Sequence, residues 1–320
     1  MGTEEMEAAI LAGVLRQAGA DVTLASVEDG LEVEASCGTR IVADTHIASC
    51  ADQVFDLVAL PGGMPGSVRL RDSDILQRIT VRQADEKRLY GAICAAPAVV
   101  LMPWGLHKRK KMTQIDCDLE RTTEVNELEW SVDGNPRVLI PIANGSEEMG
   151  IIILVDILRR AKINVVLASV EKSPNIVGSQ RMKIVADKSI MSASDSKYDL
   201  IILPGGPAGA ERLHRSRILK KLLKEQKQAG RMYGGVCSSL KILQQQGLLE
   251  DKIVAALPTV ANELKCQVID QSKVVIDGNL ITGRGIGTAV DFALAIIRKF
   301  FGYGRAKGVA NGIVFEYPKS

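Results

Sequence analysis

Leu89-Tyr90-Gly91-Ala92-Ile93-Cys94-Ala95-Ala96-Pro97 is echoed later in the chain by Met232-Tyr233-Gly234-Gly235-Val236-Cys237-Ser238-Ser239-Leu240. Each stretch is a short apolar run, then a cysteine, then small residues that open a helical pattern. A cysteine between a buried strand and a helix takes the place of the serine in a nucleophile elbow. We expect the helix N-terminus to lower the pKa of such a thiol and favour the reactive thiolate. Free cysteine is also a common inert core residue, so position alone leaves function and packing equally open.

The two stretches belong to a duplication that spans most of the chain. Gly2-Thr3-Glu4-Glu5-Met6 matches Gly145-Ser146-Glu147-Glu148-Met149, and Leu60-Pro61-Gly62-Gly63 matches Leu203-Pro204-Gly205-Gly206. The offset is 143 residues in every case, without gaps, from residue 2 to residue 106. A period of this length is far too long for a solenoid and indicates a tandem duplication of one domain.

The second copy alternates strand and helix patterns. Continuous apolar runs at Arg137–Ile142, 164–170 and 199–203 are typical of buried parallel strands. Helical patterns follow at 154–161, 216–228 and Ala289–Phe301. The fold class predicted is therefore α/β, with a parallel sheet sandwiched by helices and ligands bound at the carboxyl ends of the strands.

The domain boundaries predicted from the repeat are 1–106 for a truncated first domain, 107–136 for a linker and 137–320 for a complete second domain. No counterpart of Arg137–Ile142 precedes Gly2. In a flavodoxin-like sheet that strand is central, between the second and third strands. We expect its neighbours in the first domain to lose ladder partners, and that domain to be weakly folded or completed by another segment.

Composition excludes several classes of function. The 320 residues are 46% hydrophobic and 24% charged, with a formal net charge of +2. This balance predicts a globular protein with no nucleic acid partner, and aromatic residues at 4% offer little base-stacking surface. Without a long apolar run we expect no membrane partner. Six cysteines without C-x-x-C spacing predict a reducing compartment and no metal site.

Taken together, the motifs resemble the DJ-1/ThiJ/PfpI superfamily, and within it the plant tandem-domain homologues. The first copy carries G-T-E-E-M-E at 2–7, D-L-V-A-L-P-G-G at 56–63 and G-A-I-C-A-A-P at 91–97. The second copy carries the corresponding segments, plus G-R-G-I-G-T at 283–288 and D-F-A-L-A-I at 291–296. The resemblance implies a flavodoxin-like fold in both copies.

The resemblance also implies a chemistry. The elbow cysteine is a nucleophile and an oxidation-sensitive thiol, a glutamate of the E-E-M-E turn hydrogen-bonds it, and a later histidine assists. Similar proteins are glyoxalases that convert methylglyoxal or glyoxal to hydroxy acids without glutathione, and protein deglycation is also proposed. Backbone N–H groups of Gly63 and Ala95, or of Gly206 and Ser238, would hold the oxyanion. No cofactor is implied.

Neither copy keeps all three groups. The first keeps Cys94 and Glu7 but has Met112-Thr113-Gln114-Ile115 where the histidine belongs. The second keeps Cys237 but has Gly150 and Leu257 at the glutamate and histidine positions. The remaining candidates are interpreted as structural, with the acids at a helix N-terminus where the dipole favours them: Glu147, Glu148, His46, His107 and His214.

Two functions therefore stay open. One is weak or lost glyoxalase or deglycase activity on small reactive dicarbonyls through Cys94 and Glu7. The other is a non-catalytic thiol redox sensor, or a chaperone-like partner-binding protein of stress response or plastid development, acting through Cys237. Resemblance further predicts an intramolecular pseudo-dimer or a homodimer, and a chloroplast or cytoplasmic location. Ala95 and Ser238 stand where the peptidase branch has histidine, which argues against proteolysis.

Overall fold

The computed structural model describes residues 1–108, 134–269 and 271–318. The chain divides into two compact units, Met1–Ser131 and Val132–Ser320, called here the first and the second unit. Most of the predicted linker, and the segment that replaces the histidine of the first copy, lie outside the described residues. Among the helices of the described part, none combines the length and apolarity needed to span a membrane.

The second unit is built on a seven-stranded sheet in the order β11-β8-β7-β12-β13-β17-β16. Six of these strands are parallel, and β16 forms an antiparallel hairpin with β17. Strand β7 lies inside the sheet between β8 and β12, and its residues are buried except at its first position. The strands are β7 (Arg137–Ile142), β8 (Asn164–Ser169), β11 (Lys188–Ser189), β12 (Leu200–Leu203), β13 (Met232–Val236), β16 (Val274–Asp277) and β17 (Leu280–Gly283).

Helices flank this sheet, as the alternating pattern predicts. Helix α10 has the predicted bounds and packs on α4, where Phe292 and Ile157 are fully buried. The helices are α4 (Glu148–Arg160), α5 (Ile190–Ala193), α6 (Pro207–Arg215), α7 (Arg217–Gln228), α8 (Leu240–Gln245), α9 (Pro258–Ala261), α10 (Ala289–Phe301) and α11 (Tyr303–Gly312). Short strands complete the unit: β9 (Asn175–Val177), β10 (Lys183–Val185), β14 (Ile253–Val254) and β15 (Gln267–Val268). This α/β sandwich is the predicted flavodoxin-like fold.

The first unit repeats part of this plan. Its helices are α1 (Glu5–Gln17), α2 (Gly66–Arg71) and α3 (Asp74–Asp85). Its strands are β1 (Ala25–Ser26), β2 (Glu32–Glu34), β3 (Arg40–Val42), β4 (Thr45–His46), β5 (Leu57–Leu60) and β6 (Leu89–Ala92). Strand β1 pairs in parallel with β4, β2 pairs antiparallel with β3, and β5 pairs in parallel with β6.

A gap separates two ladders of the first unit. Their counterparts in the second unit, β8 and β12, both hydrogen-bond to β7. Within the described residues no ladder joins β1 to β5, as expected for a sheet without its central strand. Burial differs accordingly: Leu57 is 40% exposed whereas its counterpart Leu200 is fully buried, and Leu89 is 70% exposed against 8% for Met232. The first unit therefore has less core to hold its site.

Candidate active sites at the two cysteine elbows

Both cysteines lie on strained turns at the carboxyl ends of parallel strands. Cys94 follows β6 and Cys237 follows β13 directly. Their φ angles are +59° and +55°, in the left-handed region that non-glycine residues seldom adopt. Strain of this kind persists where the surrounding structure enforces it, often at functional sites. The predicted strand-to-helix elbow is thus present in both units.

The Pro-Gly-Gly turn passes unusually close to each cysteine. A Cβ atom on Gly62 would lie 2.7 Å from the Cβ of Cys94, and one on Gly205 would lie 3.2 Å from the Cβ of Cys237. Only glycine lets the backbone of the first-unit turn approach so closely. The turn therefore presents its N–H groups to the elbow.

In the first unit, helix α1 brings Glu7 to the elbow. The Glu7 carboxylate accepts a hydrogen bond from the N–H of Gly62 at 2.6 Å. The Cys94 thiol donates to the same carboxylate, and the N–H groups of Gly63 and Ala95 donate to the sulfur. All four residues that the sequence assigned to this site therefore lie together.

The electrostatics of this cluster differ from the prediction. Burial, followed by the negative charge of Glu7 and its hydrogen bond to the thiol, raises the pKa of Cys94, although the N–H groups of Gly63 and Ala95 act in the opposite direction. The prediction that a helix N-terminus lowers the pKa of this thiol is wrong. Burial and the carboxylate outweigh the two N–H groups, and together they favour the protonated thiol. Glu7 is thereby placed to accept the proton that leaves when the sulfur attacks.

In the second unit, Cys237 is partly exposed and lines a cavity of about 120 Å³. Gly150 and Gly206 also line it, and Ser238 follows with a hydroxyl that is buried without a hydrogen-bond partner among the described residues. The walls are largely apolar, and Leu257, at the position predicted for the histidine, is part of them. The apolar lining residues are Leu154, Val236, Leu257, Ile286, Ala289 and Phe292. The second-unit site therefore retains its thiol in this mostly apolar cavity, which is called the chamber below.

Glu147 is the residue whose role the sequence interpretation missed. As predicted, it lies at a helix N-terminus, where its side chain caps α4 by accepting from the N–H groups of Gly150 at 2.6 Å and Met149 at 3.3 Å. It also lines the cavity beside Cys237. Burial raises its pKa to about 7; the negative charge of Glu148 adds to this, while the two N–H groups lower it. The residue in the sequence that pointed to this role was Gly150. It has no side chain, so the space beside it is open to the carboxyl group of Glu147.

Glu148 has a structural role, as predicted, but the structure adds hydrogen bonds to a loop to its expected place at the helix N-terminus. It is fully buried and accepts hydrogen bonds from the Ser179 hydroxyl at 3.0 Å and from the N–H groups of Gln180 at 2.7 Å and Met182 at 3.2 Å. These bonds tie α4 to the following loop. The carboxylate is therefore committed to the scaffold.

The three histidines belong to other parts of the two units. His46 ends β4, and His107 lies one residue before the end of the first described segment. His214 lies in α6, where burial and the positive charge of Lys220 lower its pKa. None of them is among the residues that line the cavity beside Cys237 in the described part of the chain. The structure gives no reason to add them to that site.

The amino-acid sequence is similar to those of two plant proteins. The chain is 37% identical to protein DJ-1 homolog B of Arabidopsis thaliana, over 96% of this chain and 84% of that protein. It is 36% identical to protein DJ-1 homolog A of the same plant, over 97% and 95% of the two chains. A relative from Caenorhabditis elegans, named glutathione-independent glyoxalase DJR-1.2, is 29% identical over 52% of this chain and 88% of its own length.

Solved structures show the same likeness over about half of the chain. Oxidized DJ-1 of Toxoplasma gondii matches 57% of this chain and all of its own, with a TM-score of 0.55 and 34% sequence identity. The model of the DJ-1/PfpI family matches residues 1–131 and again 136–299. Both copies of the elbow and of its Pro-Gly-Gly turn fall within these matches. The chain therefore belongs to the DJ-1/PfpI family, twice over.

Proposed function

We propose that this chain acts slowly on small reactive dicarbonyls such as methylglyoxal and glyoxal, as a glutathione-independent glyoxalase or deglycase, through Cys94 and Glu7. The observation that carries the proposal is the hydrogen bond from the Cys94 thiol to the Glu7 carboxylate, beside two N–H groups at the sulfur. The relative named as a glyoxalase supports the same reaction class.

The geometry supports a defined sequence of steps. The sulfur of Cys94 attacks the aldehyde carbon while its proton passes to Glu7, and the carbonyl electron pair moves to oxygen. The N–H groups of Gly63 and Ala95, which donate to the sulfur in the free protein, would then donate to that oxygen and stabilise it. Glu7 then returns its proton to the oxygen and removes the hydrogen from the former aldehyde carbon. The electron pair left on that carbon forms an enediolate with the neighbouring ketone. Glu7 delivers the proton to the former ketone carbon, and the proton of the first hydroxyl moves to the second oxygen. The first carbon is thereby oxidised to a thioester and the second is reduced to an alcohol, and water cleaves the carbon–sulfur bond to release the hydroxy acid and the thiol.

The reaction is expected to be slow because one proton-transfer group is missing from the sequence. The segment Met112-Thr113-Gln114-Ile115 holds no histidine. Loss of a general acid or base typically costs about a hundred- to ten-thousand-fold in rate. Glu7 must then serve both the thiol and the substrate oxygen.

The test is lactate formation from methylglyoxal by the unsubstituted chain and by Cys94→Ala and Cys237→Ala. We expect turnover that Cys94→Ala abolishes and that Cys237→Ala largely preserves. An unsubstituted chain without turnover, or turnover indifferent to Cys94→Ala, overturns the proposal.

A second candidate is a thiol redox sensor at Cys237. The observation that favours it is a partly exposed thiol on a strained elbow, with Gly150 and Leu257 at the two positions that would serve catalysis. Mild peroxide followed by mass spectrometry should then find sulfenic or sulfinic acid at Cys237. A thiol that survives this treatment unmodified contradicts the sensor.

A further inference from the structure

The space that Gly150 leaves open in the second unit is occupied by the carboxyl group of Glu147. Gly150 corresponds in the repeat to Glu7, whose carboxylate meets the thiol in the first unit. A Cβ atom built on Gly150 would lie only 2.9 Å from Oε2 of Glu147. The N–H of Gly150 donates to that same oxygen at 2.6 Å. A carboxyl group thus occupies the corresponding region of both units, although it comes from a residue three positions earlier in the second.

The cavity lets a small molecule reach both groups. Glu147 and Cys237 line the same space, and no hydrogen bond holds Glu147 to another side chain among the described residues. The shorter capping bond, from the Gly150 N–H, ends on Oε2 at 2.6 Å, and the longer one, from the Met149 N–H, ends on Oε1 at 3.3 Å. A neutral carboxylic acid keeps the shorter bond on its carbonyl oxygen, Oε2, and carries its proton on Oε1. The proton on the other oxygen is then available to a molecule in the cavity.

Burial, with the charge of a neighbouring acid, keeps about half of Glu147 neutral near pH 7. Glu148, the adjacent acid, is fully buried and bound to the 178–182 loop. The only other titratable group among the cavity-lining residues, all in the described part of the chain, is the thiol of Cys237. With no cation in the lining to hold the carboxylate, burial dominates and the pKa reaches about 7.

We propose that Glu147 is a catalytic carboxylic acid of the second unit, which protonates the oxygen of an uncharged aldehyde while the thiolate of Cys237 adds to its carbon. A carbon–sulfur bond forms, the electron pair of the carbonyl π bond moves to oxygen, and the proton of Glu147 neutralises it. The product is a hemithioacetal at Cys237 and a carboxylate at Glu147. The reverse step returns the proton and releases the aldehyde.

The chamber also selects the substrate class. Its walls are apolar and its polar groups are an acid and a thiol. An anionic aldehyde such as glyoxylate would lose its hydration there without a cation to pair with, whereas methylglyoxal loses little. The inference shares its reaction class with the function proposed for Cys94 but involves none of the residues of that site, so the two can fail separately.

The experiment measures hemithioacetal formation at Cys237 by stopped-flow absorbance, in the full chain carrying Cys94→Ala. The double variant Cys94→Ala/Cys237→Ala measures the absorbance change from the remaining cysteines, which is subtracted from that of the single variant. With methylglyoxal we expect a rate that stops rising with pH at about 7, because Glu147 loses its proton there. Adding Glu147→Gln should slow the reaction about a hundred-fold at pH 6, and the rate should keep rising above pH 7.

Matched controls define what overturns the inference. Glu4→Gln, the equivalent position of the first unit, should leave rate and pH profile unchanged, and glyoxylate should react at least ten-fold more slowly than methylglyoxal. The inference is overturned if Glu147→Gln leaves the pH profile of the rate unaltered, or if it slows the reaction equally at every pH. It is also overturned if no hemithioacetal forms at Cys237.

Should Glu147→Gln fail to fold, ¹³C NMR titration of the glutamate carboxyls tests the inference instead. A carboxyl that titrates near pH 7 and shifts when Cys237 is alkylated supports the inference, and its absence contradicts it.

Discussion

The Glu7 carboxylate accepts a hydrogen bond from the Gly62 N–H at 2.6 Å, and this bond fixes the acid against the turn beside the first elbow. Replacement by Gln keeps an oxygen for Gly62 but removes the negative charge that raises the pKa of Cys94. Glu7→Gln should therefore lower the pH at which iodoacetamide alkylates Cys94 half-maximally. Lactate formation should fall at least a hundred-fold, because Gln accepts no proton. Cys237 in the same sample is the internal control, and an unchanged alkylation profile at Cys94 would contradict the prediction.

Close packing at the turn predicts a second variant. In Gly62→Ala the new methyl group would lie 2.7 Å from the Cβ of Cys94 and 2.9 Å from the N of Ala95. Overpacking of this kind costs about 1–3 kcal/mol and would displace the elbow. We expect lactate formation to be lost. Gly91→Ala is the matched control, since nothing lies within 4 Å of its Cβ position. Equal activity of the two variants would show that the close approach is not needed.

The raised pKa of Glu147 predicts a pH-dependent stability of the second unit. Its pKa is about 7 in the folded chain against an ordinary value of 4.5. The folded state therefore holds a proton that the unfolded state has lost between these values, so stability falls as pH rises from 4.5 to 7. The loss amounts to about 3 kcal/mol and is complete above pH 7. Glu147→Gln should remove it.

Urea-dependent pulse proteolysis of the full chain at pH 5 and pH 8 measures this, with the second-unit fragment followed on the gel. At pH 8 the Glu147→Gln chain should unfold at a higher urea concentration than the unsubstituted chain. At pH 5 the difference in urea concentration should be smaller. Glu225→Gln, on the surface of α7, controls for the loss of one charge. A variant with the same pH dependence as the unsubstituted chain would contradict the assignment of the titrating group.

The gap between the ladders of the first unit predicts uneven protection of the backbone. Strand β5 pairs with β6 on one side, whereas its counterpart β12 is paired on both. Amides of residues 57–60 should therefore exchange with deuterium at least a hundred-fold faster than those of residues 200–203, because local opening requires less free energy there. Mass spectrometry of peptic peptides measures both segments in one sample. Equal protection would show that the first sheet is completed.

Sequence reasoning predicted elements well where periodicity and buried apolar runs decide the outcome. Ala289–Phe301 and Arg137–Ile142 have the expected bounds because their apolar patterns leave one way to bury them. The chemistry of the sites was harder. The pKa of Cys94 depends on the competition between burial, Glu7 and two N–H groups, which motif spacing does not weigh. The place of Glu147 depends on a missing side chain at Gly150, and this effect appears only when the helix is folded against the cavity.

The bond between Glu7 and Gly62 joins helix α1 to the turn after β5, in the unit whose described residues show no ladder between β1 and β5. A modest rise in temperature that separates α1 from β5 would take the proton acceptor away from the thiol before the second unit loses any structure. Activity at Cys94 would then disappear reversibly on warming and return on cooling. The temperature at which this activity is lost would then be set by the stability of the first unit alone, and not by the stability of the whole chain.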